Sequence, residues 1–242
     1  MDLIIKRKYL VTSAEVDFEG KIRMSALINF LIQTAWQHAE HLGWGVSEIQ
    51  KYNLSWVLSG IQIELNEYTN WKEEIAIETW PKGLNRLFYL RDYIIYNQKG
   101  EKIGKATSNW LLIDVDKRRP KLHKVKNIDK VITDKHAIED LIPSLNFAGK
   151  PEKKTNYQVR YSNVDVNQHL TTTGYIDFVF DTFDPDFISK NRPRVITMNF
   201  LKEVVYGTNA SMLRITDDEN KKQFILEPAE GGKAFFKCEL SF

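Results

Sequence analysis

A single cysteine, Cys238, stands among 242 residues. An intramolecular disulfide is therefore impossible and a cysteine-built zinc site lacks its ligands, a usage that fits a reducing compartment. Excess charge is also missing. The chain has 34 Lys and Arg against 32 Asp and Glu, a net charge of +2, short of the surplus of a dedicated nucleic-acid binder, so any basic partner site must be local. No apolar run approaches 18 residues, and no membrane-spanning helix is expected. The opening MDLIIKRKYL has neither the apolar stretch nor the small-residue cleavage site of a secretory signal, which makes a cytoplasmic location the expectation. The patterns GxGxxG, GxxxxGKS/T and GxSxG are absent, so neither nucleotide binding nor a serine-hydrolase elbow has local support, and no cofactor is implied.

What is present is apolar material, 43% of the residues against 27% charged, enough for one large domain or two of about 120 residues. Leu27, Ile28, Leu31, Ile32, Ala35, Trp36 and Ala39 recur on one helical face, which predicts a helix from about Ser25, a candidate N-cap, to Leu42, with Gly43 as its stop. A short helix over 47–52 follows, then strands over 56–67, 74–82, 86–96 and 102–114, with Asn97 to Gly100 as hairpin chemistry. One long helix followed by antiparallel strands reads as α+β.

Residues 117–154 differ in composition, opening with Lys117, Arg118, Arg119, Lys121, Lys124 and Lys126, and read as an interdomain linker whose basic run is either solvated surface or a dock for an acidic partner. Beyond it the opening of the chain repeats at a fixed offset of 148 residues. Tyr9 falls on Tyr157, Val11 on Val159, Val16 on Val164, Asp17 on Asp165, Ile28 on Ile176 and Phe30 on Phe178. Tyr175, Ile176, Val179, Phe180 and Phe183 form the second helical stripe, and strands are expected over 194–202, 210–216, 222–227 and 233–242. Each half is thus strand, helix and antiparallel sheet, a long apolar helix wrapped by its own sheet, the hot-dog architecture. The expected domains are 1–116 and 155–242.

The repeat separates what the scaffold needs from what one copy keeps for itself. Glu19 faces Asn167 and Lys21 faces His169, so Asp165-Val166-Asn167-Gln168-His169 is polar beyond the scaffold's requirement. If locally extended, Asp165, Asn167 and His169 project the same way, a set suited to acid–base work on a carbonyl. A turn of helix-capping residues is the plainer alternative. His38 and His41 lack a third ligand and read as a partly solvated helix face. Cys238 alternates with Phe236 and Leu240 and reads as a buried structural thiol, and the six Trp read as core.

The motifs Ser55-Trp56-Val57-Leu58, Thr69-Asn70-Trp71, Glu78-Thr79-Trp80-Pro81, Leu90-Arg91-Asp92, Ala106-Thr107-Ser108-Asn109-Trp110, Arg118-Arg119-Pro120, Arg160-Tyr161-Ser162 and Asp165-Val166-Asn167-Gln168-His169, then Glu203 some 34 residues on, occur in an order that resembles the acyl-acyl-carrier-protein (acyl-ACP) thioesterases. The resemblance covers nearly the whole chain and implies two tandem hot-dog domains that hydrolyse fatty acyl-ACP to free fatty acid. It implies Asp165, Asn167, His169 and Glu203 as catalytic residues, with the first half holding the acyl chain and setting chain length. Three departures stand out. The family's usual His-Val-Asn-Asn is His169-Leu170-Thr171-Thr172 here, its Ser-Asp is Ser162-Asn163, and the cysteine that follows the Glu in plant members is Val204. The implied partner is acyl carrier protein, with no nucleic acid, no integral membrane segment and a homodimer left open. An acyl-coenzyme A hydrolase and a non-catalytic acyl-thioester binding module are the alternatives.

Overall fold

The computed structural model describes residues 2–147, 149–215 and 220–242. The first half comprises β1 (Ile5–Leu10), α1 (Met24–His41), α2 (Val46–Gln50), β2 (Leu54–Leu65), β3 (Glu74–Asn85), β4 (Phe88–Tyr96) and β5 (Lys102–Asp114). Residues 117–154 carry the two-residue β6 (Arg119–Pro120) and one helical turn, α3 (Ile128–Val131). The second half comprises β7 (Lys153–Gln158), α4 (Thr172–Phe180), α5 (Pro185–Lys190), β8 (Val195–Phe200), β9 (Asn209–Arg214), β10 (Lys221–Pro228) and β11 (Phe236–Ser241). The expected strand over 210–216 ends at Arg214; Thr216 lies outside the described residues.

All the strands belong to one antiparallel sheet in the order β1-β3-β4-β5-β2-β8-β11-β10-β9-β7, with β6 paired to the end of β5. Matching β1 to β7, β3 to β9, β4 to β10, β5 to β11 and β2 to β8 makes this order read the same from either edge, so the repeat is a two-fold arrangement whose axis lies at the β2–β8 seam. That seam pairs Gly60 with Asn199 through Glu64 with Val195. Gly60 suits the close approach there, because a Cβ would lie 3.2 Å from the Met198 carbonyl oxygen, tighter than most such contacts.

Leu27, Ile28 and Leu31 are fully buried against the sheet, each worth roughly 1.5–3 kcal/mol of transfer free energy. The repeat is exact at the level of ring contacts. Tyr9 stacks on Phe30 with centroids 4.4 Å apart, and Tyr157 stacks on Phe178 at 4.1 Å. Two expectations need correction. Ser25 does not cap α1: Arg23 is the N-cap, and the Ser25 side chain bonds Asp177 of α4, where the two helices pack. The second half's helix is also not long. α4 has nine residues where α1 has eighteen, because Asp184 caps a new helix through Asp186 N–H and Pro185 starts it, leaving Phe183 between the two.

The segment between the halves is strapped to the sheet. The Trp80 Nε1–H donates to the Lys135 carbonyl at 2.7 Å, Asp92 Oδ2 accepts from Ala137 N–H at 2.6 Å, and Asn199 Oδ1 accepts from Leu145 N–H at 2.7 Å. Beneath the strap Lys82 and Asp92, both buried, form an ion pair of 3.2 Å. Removing one charge strands the other in a low-dielectric site. Asp92→Asn should lower unfolding free energy by about 3–5 kcal/mol in urea titrations, whereas Lys82→Met combined with Asp92→Leu should cost far less than the sum of the single changes.

Candidate active site

Asp165 to His169 form a tight turn, not an extended run. Asp165 N–H donates to the His169 carbonyl at 2.8 Å and Gln168 N–H to the Asp165 carbonyl at 3.0 Å, with Gln168 at φ 62° in the left-handed region. Asp165 Oδ1 accepts from Asn167 N–H at 2.8 Å and His169 N–H at 3.2 Å. The three side chains therefore do not share a face: Asp165 folds back to hold the turn, as Asx side chains do. Asn167 stands exposed, its amide without a hydrogen-bond partner among the described residues. The turn is clamped from the far side. Leu170 N–H donates to the Val204 carbonyl at 2.7 Å and Tyr206 N–H to the Gln168 carbonyl at 3.1 Å.

This clamp brings Glu203 to His169, with Oε2 3.8 Å from Nε2. The same Oε2 is ion-paired to Nη2 of Arg118. In the sequence Arg118 stood out as one member of a basic run and of the Arg118-Arg119-Pro120 motif, with no sign that it reaches from the turn after β5 to this carboxylate. Behind the pair lies Tyr175, packed on Phe200 and Phe236; burial pushes its phenol well up, with Glu203 and Asp165 adding to the effect, so it stays neutral. The departures from the usual family residues are accommodated. Thr171 Oγ1 accepts from Gly174 N–H at 3.0 Å and caps α4, and Asn163 Oδ1 accepts from Arg160 N–H at 2.9 Å.

The first half keeps the same turn without the chemistry. Asp17 Oδ1 accepts from Glu19 N–H and Lys21 N–H at 2.9 and 3.1 Å, and Gly20, at φ 72°, stands where Gln168 does. Ile22 N–H donates to the Thr69 carbonyl as Leu170 does to that of Val204, so the counterpart of Glu203 is Tyr68. A gapless offset of 148 hides this match, because the shorter second helix makes the offset 135 beyond it. Arg192 of the second half binds Asp17 Oδ2 and Glu19 Oε2, each at 2.8 Å. Lys21 is held by Asn70 Oδ1 at 2.7 Å. Both carboxylates of this turn are thus paired with Arg192.

A narrow cleft of about 40 Å³ opens between α1 and the first-half sheet, lined by Ala35, Trp36, Ala39, Trp44, Trp56, Pro81, Gly83, Tyr89, Leu90, Arg91, Trp110 and Ile128. Four of the six tryptophans, expected as core, line it. The indole N–H groups of Trp44, Trp56 and Trp110 are bonded to Lys126 O, Trp44 O and Ser108 Oγ, so these rings offer the cleft an apolar surface. Trp56 precedes the β2–β8 seam by four residues and Glu203 follows it by four, which sets the cleft and the His169–Glu203 pair at the same end of the junction.

Chain-wide comparisons bear directly on this arrangement. The family profile described as acyl-ACP thioesterase N-terminal domain matches residues 2–129, and that described as acyl-ACP thioesterase C-terminal domain matches residues 148–237. The chain belongs to the acyl-ACP thioesterase family. It is a thioester hydrolase, and the coenzyme A and non-catalytic alternatives are not favoured. The oleoyl-acyl carrier protein thioesterase 2 of Arabidopsis thaliana is 26% identical over 97% of this chain and 69% of its own length. An acyl-ACP thioesterase from Bacteroides thetaiotaomicron superposes with a TM-score of 0.90 at 27% identity, over 99% of this chain and 98% of that one. The 12:0-ACP thioesterase from Umbellularia californica, 21% identical with a TM-score of 0.88 over 100% and 97% of the two chains, shares the fold. The tandem hot-dog architecture of the thioesterase is thereby established.

His38 of the thioesterase is not on a solvated face. It is fully buried, its Nδ1 accepting from Arg91 Nη1 at 3.0 Å and its Nε2 facing the Asp2 carbonyl at 3.1 Å. Burial first, then the Arg91 charge, lowers its pKa from 6.5 to about 4. Between these values the unfolded chain binds a proton that the folded one refuses, so stability falls as pH drops from 6.5 towards 4. Urea titrations from pH 7 to 5 should show this component, at most about 1.4 kcal/mol per pH unit, in the parent and not in His38→Gln. Equal slopes in the two would mean that the ring is charged in the fold.

Proposed function

We propose that this thioesterase releases fatty acid from acyl-ACP by water attack at the second-half turn. The Glu203–His169 pair takes a proton from water, the water oxygen adds to the thioester carbonyl carbon, and Asn167 orients the water or the carbonyl. The tetrahedral intermediate then collapses, breaking the C–S bond. The proton held by the pair goes to the departing sulfur, giving a free acid and a carrier thiol. Asp165 keeps the turn closed by accepting two backbone N–H groups. The observation that carries this reading is the approach of Glu203 and His169 at one end of the sheet seam, beside an apolar cleft.

The acyl chain is assigned to the first-half cleft, whose aromatic lining suits an apolar tail and whose turn, with Asp17 and Glu19 paired to Arg192, offers no second base. A thiol nucleophile is excluded at position 204, which is Val. Cys238 is fully buried within β11, and burial raises its pKa well above the usual thiol value, so it stays an inert thiol.

His169→Ala and Glu203→Gln should each lower kcat on acyl-ACP by about 100-fold or more, while Lys21→Ala and Cys238→Ser should keep most of the activity. Free fatty acid from a panel of carrier-linked chain lengths is the readout. Equal losses in Lys21→Ala and His169→Ala, or an acyl group trapped on Cys238, would falsify this mechanism.

A further inference from the structure

The turn after β5 is stapled. Asp114 Oδ1 accepts from Lys117 N–H at 3.0 Å, and the Asp114 carbonyl accepts from Arg118 N–H at 2.9 Å. Lys121 Nζ lies 3.7 Å from Asp114 Oδ2. The backbone donor from Lys117 and the nearby lysines hold the Asp114 carboxyl below its ordinary value, so the staple persists as a carboxylate. Arg118 itself sits at φ 51°, in the left-handed region that a non-glycine residue adopts only when its surroundings impose it. That backbone turns its side chain away from the run it belongs to and onto Glu203. Lys117 and Arg119, on either side, have no side-chain partner among the described residues.

The pairing is specific at the atomic level. Arg118 Nη2 and His169 Nε2 both address Oε2 of Glu203, and Oε1 has no partner among the described residues. Arg118 is about 40% exposed and Glu203 about 35%, so the pair gains little as a surface ion pair and does not repay a strained turn through stability. What it does accomplish is orientation. A carboxylate whose Oε2 is held by a guanidinium, with the His169 imidazole 3.8 Å from it, presents Oε1 in a restricted direction.

We propose that Arg118 is the positioning residue of the hydrolytic site: reaching across from the first half, it locks Oε2 of Glu203 beside His169 and leaves Oε1 as the oxygen that accepts the proton of the attacking water. This rests on the assignment of Glu203 to the base pair under the proposed function. It also divides the basic run by task, with Arg118 serving the chemistry and the solvent-facing Lys117 and Arg119 left for contact with an acidic carrier.

The test compares Arg118→Gln, Arg118→Lys, Glu203→Gln and the Arg118→Gln/Glu203→Gln double variant on acyl-ACP and on an acyl-pantetheine thioester of the same chain length. Arg118→Gln should lower kcat about 10- to 100-fold on both substrates, with KM within about two-fold, as a misplaced catalytic group does. Arg118→Lys should recover part of the loss, and the double variant should be no slower than Glu203→Gln alone, because residues that act as one unit are not additive. A KM increase confined to acyl-ACP, with kcat on acyl-pantetheine unchanged, would make Arg118 a docking residue and overturn the proposal, as would additive losses in the double variant. Full activity in Glu203→Gln would overturn both this inference and the assignment of the base. A disabled Glu203→Gln with an indifferent Arg118→Gln would overturn this inference alone.

Discussion

Five residue pairs of main-chain hydrogen bonding, between β2 and β8, hold together everything else in this thioesterase. A hot-dog half has one open sheet edge at β2 or β8, and an exposed edge is a row of unpaired donors and acceptors. Joining the two edges satisfies both and makes a single sheet whose strand order reads alike from either side. The seam also sets where the candidate catalytic pair lies. It brings the end of β8, and hence Glu203, close to the turn after β5, so that an arginine of one half meets a carboxylate of the other.

The two halves differ in how they distribute charge on a shared sheet-and-turn frame. Both turns have an Asp whose side chain accepts two backbone N–H groups, and both are crossed by an arginine from the opposite half. In the first half that arginine takes up Asp17 and Glu19, and Tyr68 replaces the carboxylate. In the second it takes up Glu203 and leaves His169 beside it. The half without the His–Glu pair carries the apolar cleft lined by Trp36, Trp44, Trp56 and Trp110.

Much of this was legible in the sequence. The 148-residue offset exposed the repeat because turn and core residues such as Asp17, Phe30, Asp165 and Phe178 are constrained by local packing. β5 matched its expected bounds, and Cys238 alternated as a buried strand residue must. Contacts between distant segments were not legible. Nothing in Lys117-Arg118-Arg119 marks the middle residue as the one turned inward, since its direction follows from the backbone of a turn fixed by Asp114. His38 read as solvated because its partner, Arg91, lies 53 residues away. The equivalence of Glu203 with Tyr68 was hidden by a helix half as long in one copy as in the other.

The two turns also differ in where they hold backbone strain. At and beside the two turns, equivalent positions in the left-handed region are Gly20 and Lys72 in the first half and Gln168 and Gly207 in the second. Glycine visits that region freely, whereas a side chain there costs on the order of 1 kcal/mol. The first half therefore has its relaxed residue inside the turn and its strained one outside, and the second half has the reverse. Strain held at Gln168 favours local opening of the Asp165–His169 turn over opening of its counterpart, so faster amide exchange is expected at Asp165–His169 than at Asp17–Lys21.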